Sequence, residues 1–520
     1  MTLTLLKKTA RCAVIEIDDG GDYYTKESYM LLVNDRKIPA TKSITVLTDL
    51  KPGTAYVIKA ESENGDFLKS LEFETDYESV TLNVKELGAF GDGIHDDSMF
   101  IEAAIMACPK DGRVLIPKGE YCVSSIFLKS NLNLEIAKGA VLKFIKERGV
   151  HPYYPGEIQT YDEKDERYFG TWEGNPRPMY AGVINGFEVE NVCIFGEGTI
   201  DGNASFEDWW KNPKKLNTAY RARCIFLKDC RNVSVMGISV KDSPCWTVHP
   251  YWCEDISFYG LSIRNPENSP NTDGINPESC KNVIICGVHF SLGDDCIAVK
   301  SGKIYLGKKY KKPSESILVT RCLMENGHGA VTLGSEIAGG VKNLTVKNCI
   351  FKNTDRGLRI KTRRGRGSDS VLDGIVFSDI RMDCVKTPFT INSFYFCDPD
   401  GKTSYVQTRE ALPVDERTPV IGSLTFKNIA AENCSVAAMY CEGLPEEKVE
   451  SITLDHIRIS FKDGECKPEV PIMSDGVEPC AKKGLTIRNV NNLVLKDIIV
   501  TGCEGEILLM EGINNLDSFL

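Results

Sequence analysis

What most limits the fold of this chain is a short strand-like unit that returns through most of its length. Units of the type Asn-Val-x-Ile begin at Asn131, Asn191, Asn232, Asp255, Asn282, Ser316, Asn343, Gly374, Ser423, Ser451 and Asn492. In the middle of the chain successive starts lie about 23 to 34 residues apart. A period of roughly 20–50 residues means stacked copies of one small unit. These units are strands and turns with almost no helical periodicity. They lack the Leu-x-x-Leu-x-Leu of leucine-rich repeats and the longer Trp-Asp-marked blades of propellers. A parallel β-helix remains, in which short strands stack coil upon coil at about 4.8 Å. An open coil edge exposes unpaired backbone, so the segment from Gly91 to Cys108 is expected to cap the N-terminal end. There Asp96 and Asp97 read as helix N-caps, ahead of a helix with Phe100, Ala103, Ala104 and Ala107 on its buried face.

The first 80 residues follow a different rhythm. Short β-like runs (Ala13–Ile17, Tyr29–Val33, Ser43–Leu47, Tyr56–Ala60) alternate with polar turns, which suits a small β-sandwich. Leu50, Pro52 and Tyr56 have the spacing of a tyrosine corner, and Asn64-Gly65 marks a turn before a last strand. This stretch resembles a fibronectin type III domain. The expected architecture is therefore all-β: a sandwich over residues 1–79, then a right-handed parallel β-helix over 80–520.

Charge and cysteine usage narrow the function. The net charge of −11 argues against general binding to nucleic acid or anionic membrane. It would also repel an acidic substrate unless basic residues gather locally. The longest stretch free of Asp, Glu, Lys and Arg, Asn282 to Gly293, is far short of the about 20 residues of a spanning helix. No two of the 20 cysteines stand in Cys-x-x-Cys spacing, which removes the usual zinc and thioredoxin signatures. They read as buried small hydrophobes in a reducing compartment. The N-terminus carries no legible secretory leader, so a cytoplasmic placement is expected unless a leader has been removed.

Four motifs carry chemistry: Asn271-Thr272-Asp273, Gly293-Asp294-Asp295, Gly327-His328-Gly329 and Arg359-Ile360-Lys361. Each alone is weak: a turn, a solvated edge, a loop histidine, a charged strand. They follow one another at about one coil per step, however. In a solenoid, that places three carboxylates, a histidine and two cations along one face. Carboxylates about 5 Å apart at an effective dielectric of about 20 repel by roughly 3 kcal/mol. Such a cluster can hold a proton near neutral pH beside an ionised neighbour. The run Arg359, Lys361, Arg363, Arg364, Arg366 supplies the local positive charge. A nucleic-acid patch is the rival reading, but no aromatic residues interleave with it.

In this order the four motifs resemble those of the polygalacturonases, glycoside hydrolase family 28, and the resemblance runs from about residue 80 to near the C-terminus. Ser243–His249 and Cys296–Gly302 support it. The resemblance implies an inverting hydrolase of α-1,4-galacturonosidic bonds, with galacturonate oligomers or polygalacturonan as substrate and neither metal nor organic cofactor. Asp294 is then the general acid, and Asp273 and Asp295 position and deprotonate the attacking water. His328 sets protonation, and Arg359 and Lys361 grip a uronate carboxylate. Asn271 and Tyr395 are substrate-binding candidates, with Tyr405 behind Tyr395. Insertions at Lys146–Tyr180 (Tyr153, Tyr154, Tyr161, Tyr168, Trp172, Arg177) and Phe206–Arg223 (Trp209, Trp210, Tyr220) are expected over the binding face. The first resembles one in bacterial exo-acting members, which favours exo over endo action. The rivals are a calcium-dependent lyase, a hydrolase of rhamnogalacturonan or xylogalacturonan, and a non-catalytic carbohydrate-binding solenoid. Oligomeric state is left open.

Overall fold

The computed structural model describes residues 1–34, 36–157 and 169–519. Tyr161 and Tyr168 of the first insertion lie outside the described residues. The N-terminal part is a seven-stranded sandwich: β1 (Thr2–Lys8), β2 (Ala13–Asp18), β3 (Tyr24–Val33), β4 (Arg36–Lys42), β5 (Ile44–Leu47), β6 (Ala55–Ser62) and β7 (Phe67–Glu74). Sheet β1-β2-β5 faces sheet β4-β3-β6-β7, all antiparallel. Alternation along β6 puts Tyr56, Ile58 and Ala60 inward against Ile15, Leu31 and Leu47. The tyrosine corner is made: the Lys51 backbone N–H donates to the Tyr56 hydroxyl at 2.8 Å.

From Thr81 onward the chain winds as a parallel β-helix. One interior column runs through Ile194, Val235, Phe258, Ile285, Val319, Val346, Phe377, Phe426, Leu454 and Leu495, each paired in parallel register with the next. The recurring Asn has a local cause. Asn131, Asn191, Asn232, Asp255, Asn282, Ser316 and Asn343 all sit at φ between 50° and 59°, a left-handed turn that Asn and Asp tolerate best among non-glycine residues. Their side chains stack as well as turn. Asn191 donates to Asn131 (3.2 Å), Asn232 to Asn191 (2.8 Å) and Asn282 to Asp255 (2.9 Å).

The N-terminal cap differs in detail from the expectation. Helix α1 (Ser98–Ala107) buries Ile101, Ala104 and Ile105 against the first coils, while Ala103 and Ala107 are exposed. Asp97 holds the N-cap position through its backbone carbonyl, while Asp96, one residue earlier, accepts from the Ser98 N–H at 2.9 Å. The Asp97 side chain makes no bond to the helix and accepts from the Phe90 and Gly91 N–H groups at 2.6 and 3.0 Å, closing the glycine-rich turn.

The sandwich is seated on the β-helix. Val14, Ile44 and Cys12 pack on Phe195, Met236, Tyr259 and Cys286. Gly287 permits this approach: a Cβ there, at φ 68°, would stand 2.5 Å from the Ile44 side chain. Arg321, nearly buried, reaches Glu16 (3.1 Å) and Asp18 (2.9 Å), and Arg381 reaches Asp22.

Candidate active site

The site lies on a column of short strands running Val248–Tyr251, Ile297–Val299, Val331–Gly334, Arg356–Lys361 and Thr387–Asn392. Ile275, Ile297, Val331 and Leu358 pair in register along it. Asp273, Asp295, Gly329 and Arg356 each stand two residues before those partners, and Thr272, Asp294, His328 and Asp355 one residue earlier still. The stacking thus differs from one motif per level. Asp295 follows Asp273, and His328 follows Asp294. Arg359 and Lys361 stack on Thr332 and Gly334, further along the strand, and reach back.

The three carboxylates converge: one oxygen each from Asp273, Asp294 and Asp295 lies within 4.8 Å of the others. Asp273 and Asp295 are buried at 3 % and 1 % exposure, whereas Asp294 is partly open. Arg359 donates to one Asp295 oxygen at 3.1 Å and Lys361 to the other at 2.8 Å. Burial alone would push Asp295 up, but Lys361 and Arg359 outweigh it and hold the carboxyl far below its usual range. Asp273 goes the other way: burial, then the Asp294 carboxylate, push it well up against the pull of Lys300. The trio therefore carries a proton at a pH where Asp295 is ionised. Three oxygens this close are also an ordinary grip for a hard cation, but here the fixed cations Lys300, Arg359 and Lys361 already supply positive charge to the cluster.

The cavity over the trio has a volume of about 350 Å3, near the lower end for small-ligand sites. Asn271 and Tyr395 line it, as do His328, Arg359 and Lys361. The Asn271 side-chain carbonyl is held by Arg221 at 2.7 Å, and Lys361 stands 5.7 Å from the Tyr395 ring. Tyr405 is not among the lining residues; Arg417 stacks on its ring at 4.7 Å. His328 Nδ1 meets Asp355 at 2.9 Å, and its backbone N–H donates to the Asp294 carbonyl at 3.1 Å. Its side-chain partner is thus Asp355 rather than the Asp294 carboxyl, and the Asp355 contact raises the imidazole above its ordinary value. Arg363, Arg364 and Arg366 are buried against Asp398, Asp400 and Glu446, so they form loop anchors rather than a surface patch.

Several lining residues were not singled out from the sequence. Lys300 Nζ sits 3.0 Å from Glu336 and 3.9 Å from Asp273, and 4.4 Å over the Trp246 ring. Glu336 is held low by Lys300, Lys303 and Lys361 despite its burial. Gly334-Ser335-Glu336 follows a strand as Gly293-Asp294-Asp295 does, and that likeness was the available signal. Asp355 and Arg356 carry none, because apart from each other their partners, His328, Lys386 and the carbonyls of Val470 and Pro471, lie on other coils or loops.

The two insertions wall one end. Thr171–Trp172 and Asn175–Pro176 form a hairpin, with Glu173 (φ 46°) and Gly174 (φ 71°) as its turn, the two-positive-φ geometry that favours Gly. A Cβ on Gly174 would lie 2.8 Å from both the Glu336 side chain and the Lys303 nitrogen, so the turn rests on the cavity rim. Trp172 stacks on Tyr220 at 4.5 Å, with Arg221 and Arg223 each 5.4 Å from its ring.

The comparisons with known proteins agree. The family model for Glycosyl hydrolases family 28 matches residues 167–474, and one for Rhamnogalacturonase A/epimerase, pectate lyase-like, matches 81–136. A probable polygalacturonase of Vitis vinifera is 28 % identical over 78 % of this chain and 79 % of its own length. A polygalacturonase of Malus domestica is 27 % identical over 77 % and 78 %. Among solved structures, a hyperthermoactive exopolygalacturonase from Thermotoga maritima superposes with a TM-score of 0.64 at 27 % identity, covering 83 % of this chain and 92 % of that one. The Yersinia enterocolitica family 28 exopolygalacturonase, at 17 % identity, shares the fold over 99 % and 98 % with a TM-score of 0.70. The relatives also correct one expectation. They are plant polygalacturonases, whose polymer lies in the wall outside the cell, so the cytoplasmic placement does not stand, nor does the compartment inferred from the cysteines. With a family model covering more than half of its length and the carboxylate trio inside the matched segment, the chain belongs to glycosyl hydrolases family 28, the polygalacturonases, and is a glycoside hydrolase.

Proposed function

We propose that the protein hydrolyses α-1,4-galacturonosidic bonds from chain ends, by a single displacement with inversion. The observation that carries the exo reading is the hairpin turn at Glu173-Gly174, seated against Glu336 and Lys303 where an open groove would let a chain pass. Asp294 is the acid, because of the three carboxylates that line the cavity it is the most exposed. Asp273 and Asp295 hold the attacking water and accept its proton as the glycosidic bond breaks. Asp295, with both oxygens tied to cations, is a poor nucleophile, which favours attack by water over a glycosyl-enzyme intermediate. The trio is tighter than the ~6.5–9.5 Å usual between the carboxyl groups of an inverting pair, so the support is this tethering and not the spacing. Arg359 and Lys361 have donors left beyond Asp295 for a uronate carboxylate. His328 and Asp355 form a hydrogen-bonded pair beside the acid, and Asn271 and Tyr395 line the walls that hold the sugar.

The test is a chromatographic time course of products from polygalacturonan, with chelator present. Exo action releases one small product from the start with little loss of polymer length. Mixed oligomers would overturn the exo reading, and unsaturated products abolished by chelator would overturn hydrolysis.

A further inference from the structure

The hairpin closes one end of the site, and the opposite end is covered as well. Beyond Arg359 and Lys361 the next strand of the same column is Thr387–Asn392, with Thr390 stacked on Arg359 and Asn392 on Lys361. In an open groove these two side chains would form the floor for the following sugar. Instead Thr390 is 2 % and Asn392 3 % exposed. Pro471, Ile472 and Met473 lie over them, leaving about 10 Å3 between loop and floor, room for no more than about one water.

The loop is tied down along its length. Arg356 donates to the Val470 carbonyl at 3.0 Å and to the Pro471 carbonyl at 3.2 Å. The Asn392 amide donates to the Met473 carbonyl at 3.1 Å. Arg409 donates to the Ser474 hydroxyl and the Asp475 carbonyl, and Lys386 pairs with Glu469 at 2.8 Å. Past the loop the column continues in register through Glu442 and Arg488, and a separate cavity of about 840 Å3 opens there. The groove is thus interrupted by the loop, not ended by the fold.

We infer that residues 469–475 are a chain-length filter, a second wall one coil beyond Arg359 and Lys361 that makes oligogalacturonides of two or three residues the preferred substrates over longer chains. The inference rests on the galacturonan-hydrolase reading above. Each coil advances about 4.8 Å, roughly the rise of one sugar in an extended uronate chain. Between hairpin and loop there is space for the residues on either side of the scissile bond and little more. A longer chain must lift off the floor after the first residue beyond that bond and forfeits contacts with each further coil.

The experiment measures kcat/KM per chain end for di-, tri- and pentagalacturonate and for polygalacturonan. It uses the full-length protein and a variant with residues 468–478 replaced by Gly-Gly-Ser. In the wild type, kcat/KM falls at least tenfold from trigalacturonate to pentagalacturonate and stays low on polymer. The shortened loop removes that fall, raising the rate on long substrates about tenfold while digalacturonate is little changed. If the variant does not fold, the wild-type series decides by itself. Monomer release at equal rates from all lengths would overturn this inference alone. Mixed internal products from pentagalacturonate would overturn the exo reading together with it.

Discussion

At the scale of single residues, the account rests on opposed environments for near neighbours. Asp295 is held ionised by two cations, Asp273 is pushed up by burial and by Asp294, and Lys300 stands between Asp273 and Glu336. Asp294→Asn is expected to fold and bind but to lose about 10²–10⁴ in turnover, the range of general acid catalysis, measured as kcat on trigalacturonate. Lys300 draws the Asp273 pKa down, and Glu336 dilutes that pull. Lys300→Met should therefore shift the pH profile of kcat/KM toward higher pH by about one to two units. Glu336→Gln leaves the Lys300 charge undiluted and should shift it toward lower pH. A purely structural role would lower activity in both variants without opposite displacements of the profile. The four charged motifs were legible in the sequence because each sits at a turn just before or within a strand of the repeating unit. The Lys300–Glu336 and His328–Asp355 pairs were not, because coil register decides them and no local pattern encodes it.

At the scale of elements, the Asn-headed strand is the most legible feature. A residue type that tolerates positive φ, recurring once per coil, is both the turn signal and the material of an amide ladder. The cap helix was placed correctly, but its face was misjudged: Ile101 and Ile105 bury where Ala103 and Ala107 were expected, since the larger apolar side chains gain more from burial. The hairpin wall was foreshadowed by the insertion's aromatic residues and by its resemblance to one in exo-acting members. Its seat depends on Gly174, which combines φ 71° with no room for a Cβ beside Glu336 and Lys303. Gly174→Ala therefore costs about 1–2 kcal/mol of local strain and lifts the turn. The expected result is a severalfold rise in KM for short oligomers and the appearance of internal products from polygalacturonan, with the melting temperature nearly unchanged. An unaltered product pattern would separate the hairpin from exo action.

For the whole molecule, residues 1–79 and 80–520 are proposed as two domains that melt as one. The seat is apolar at its centre, through Val14, Ile44, Phe195, Met236 and Tyr259, and ionic at its rim. Arg321 is 4 % exposed and would be an unpaired buried charge without Glu16 and Asp18. Scanning calorimetry should show a single transition, and Glu16→Ala combined with Asp18→Ala should lower it by several degrees with kcat unchanged. Two resolved transitions in the wild type would mean that the sandwich is an independent module. The sandwich and the solenoid were both readable from periodicity. Their docking was not, because the apolar patch on each partner looks like ordinary strand alternation until the two are set face to face.

The central claim, hydrolysis by a single displacement at the Asp273–Asp294–Asp295 trio, is tested most directly by proton NMR of the first turnovers on trigalacturonate, read before mutarotation. The account predicts that the newly formed reducing end appears first as the β anomer, from an α-linked substrate. An α anomer appearing first would mean a double displacement through a covalent intermediate, and would contradict the assignment of Asp273 and Asp295 as holders of the attacking water.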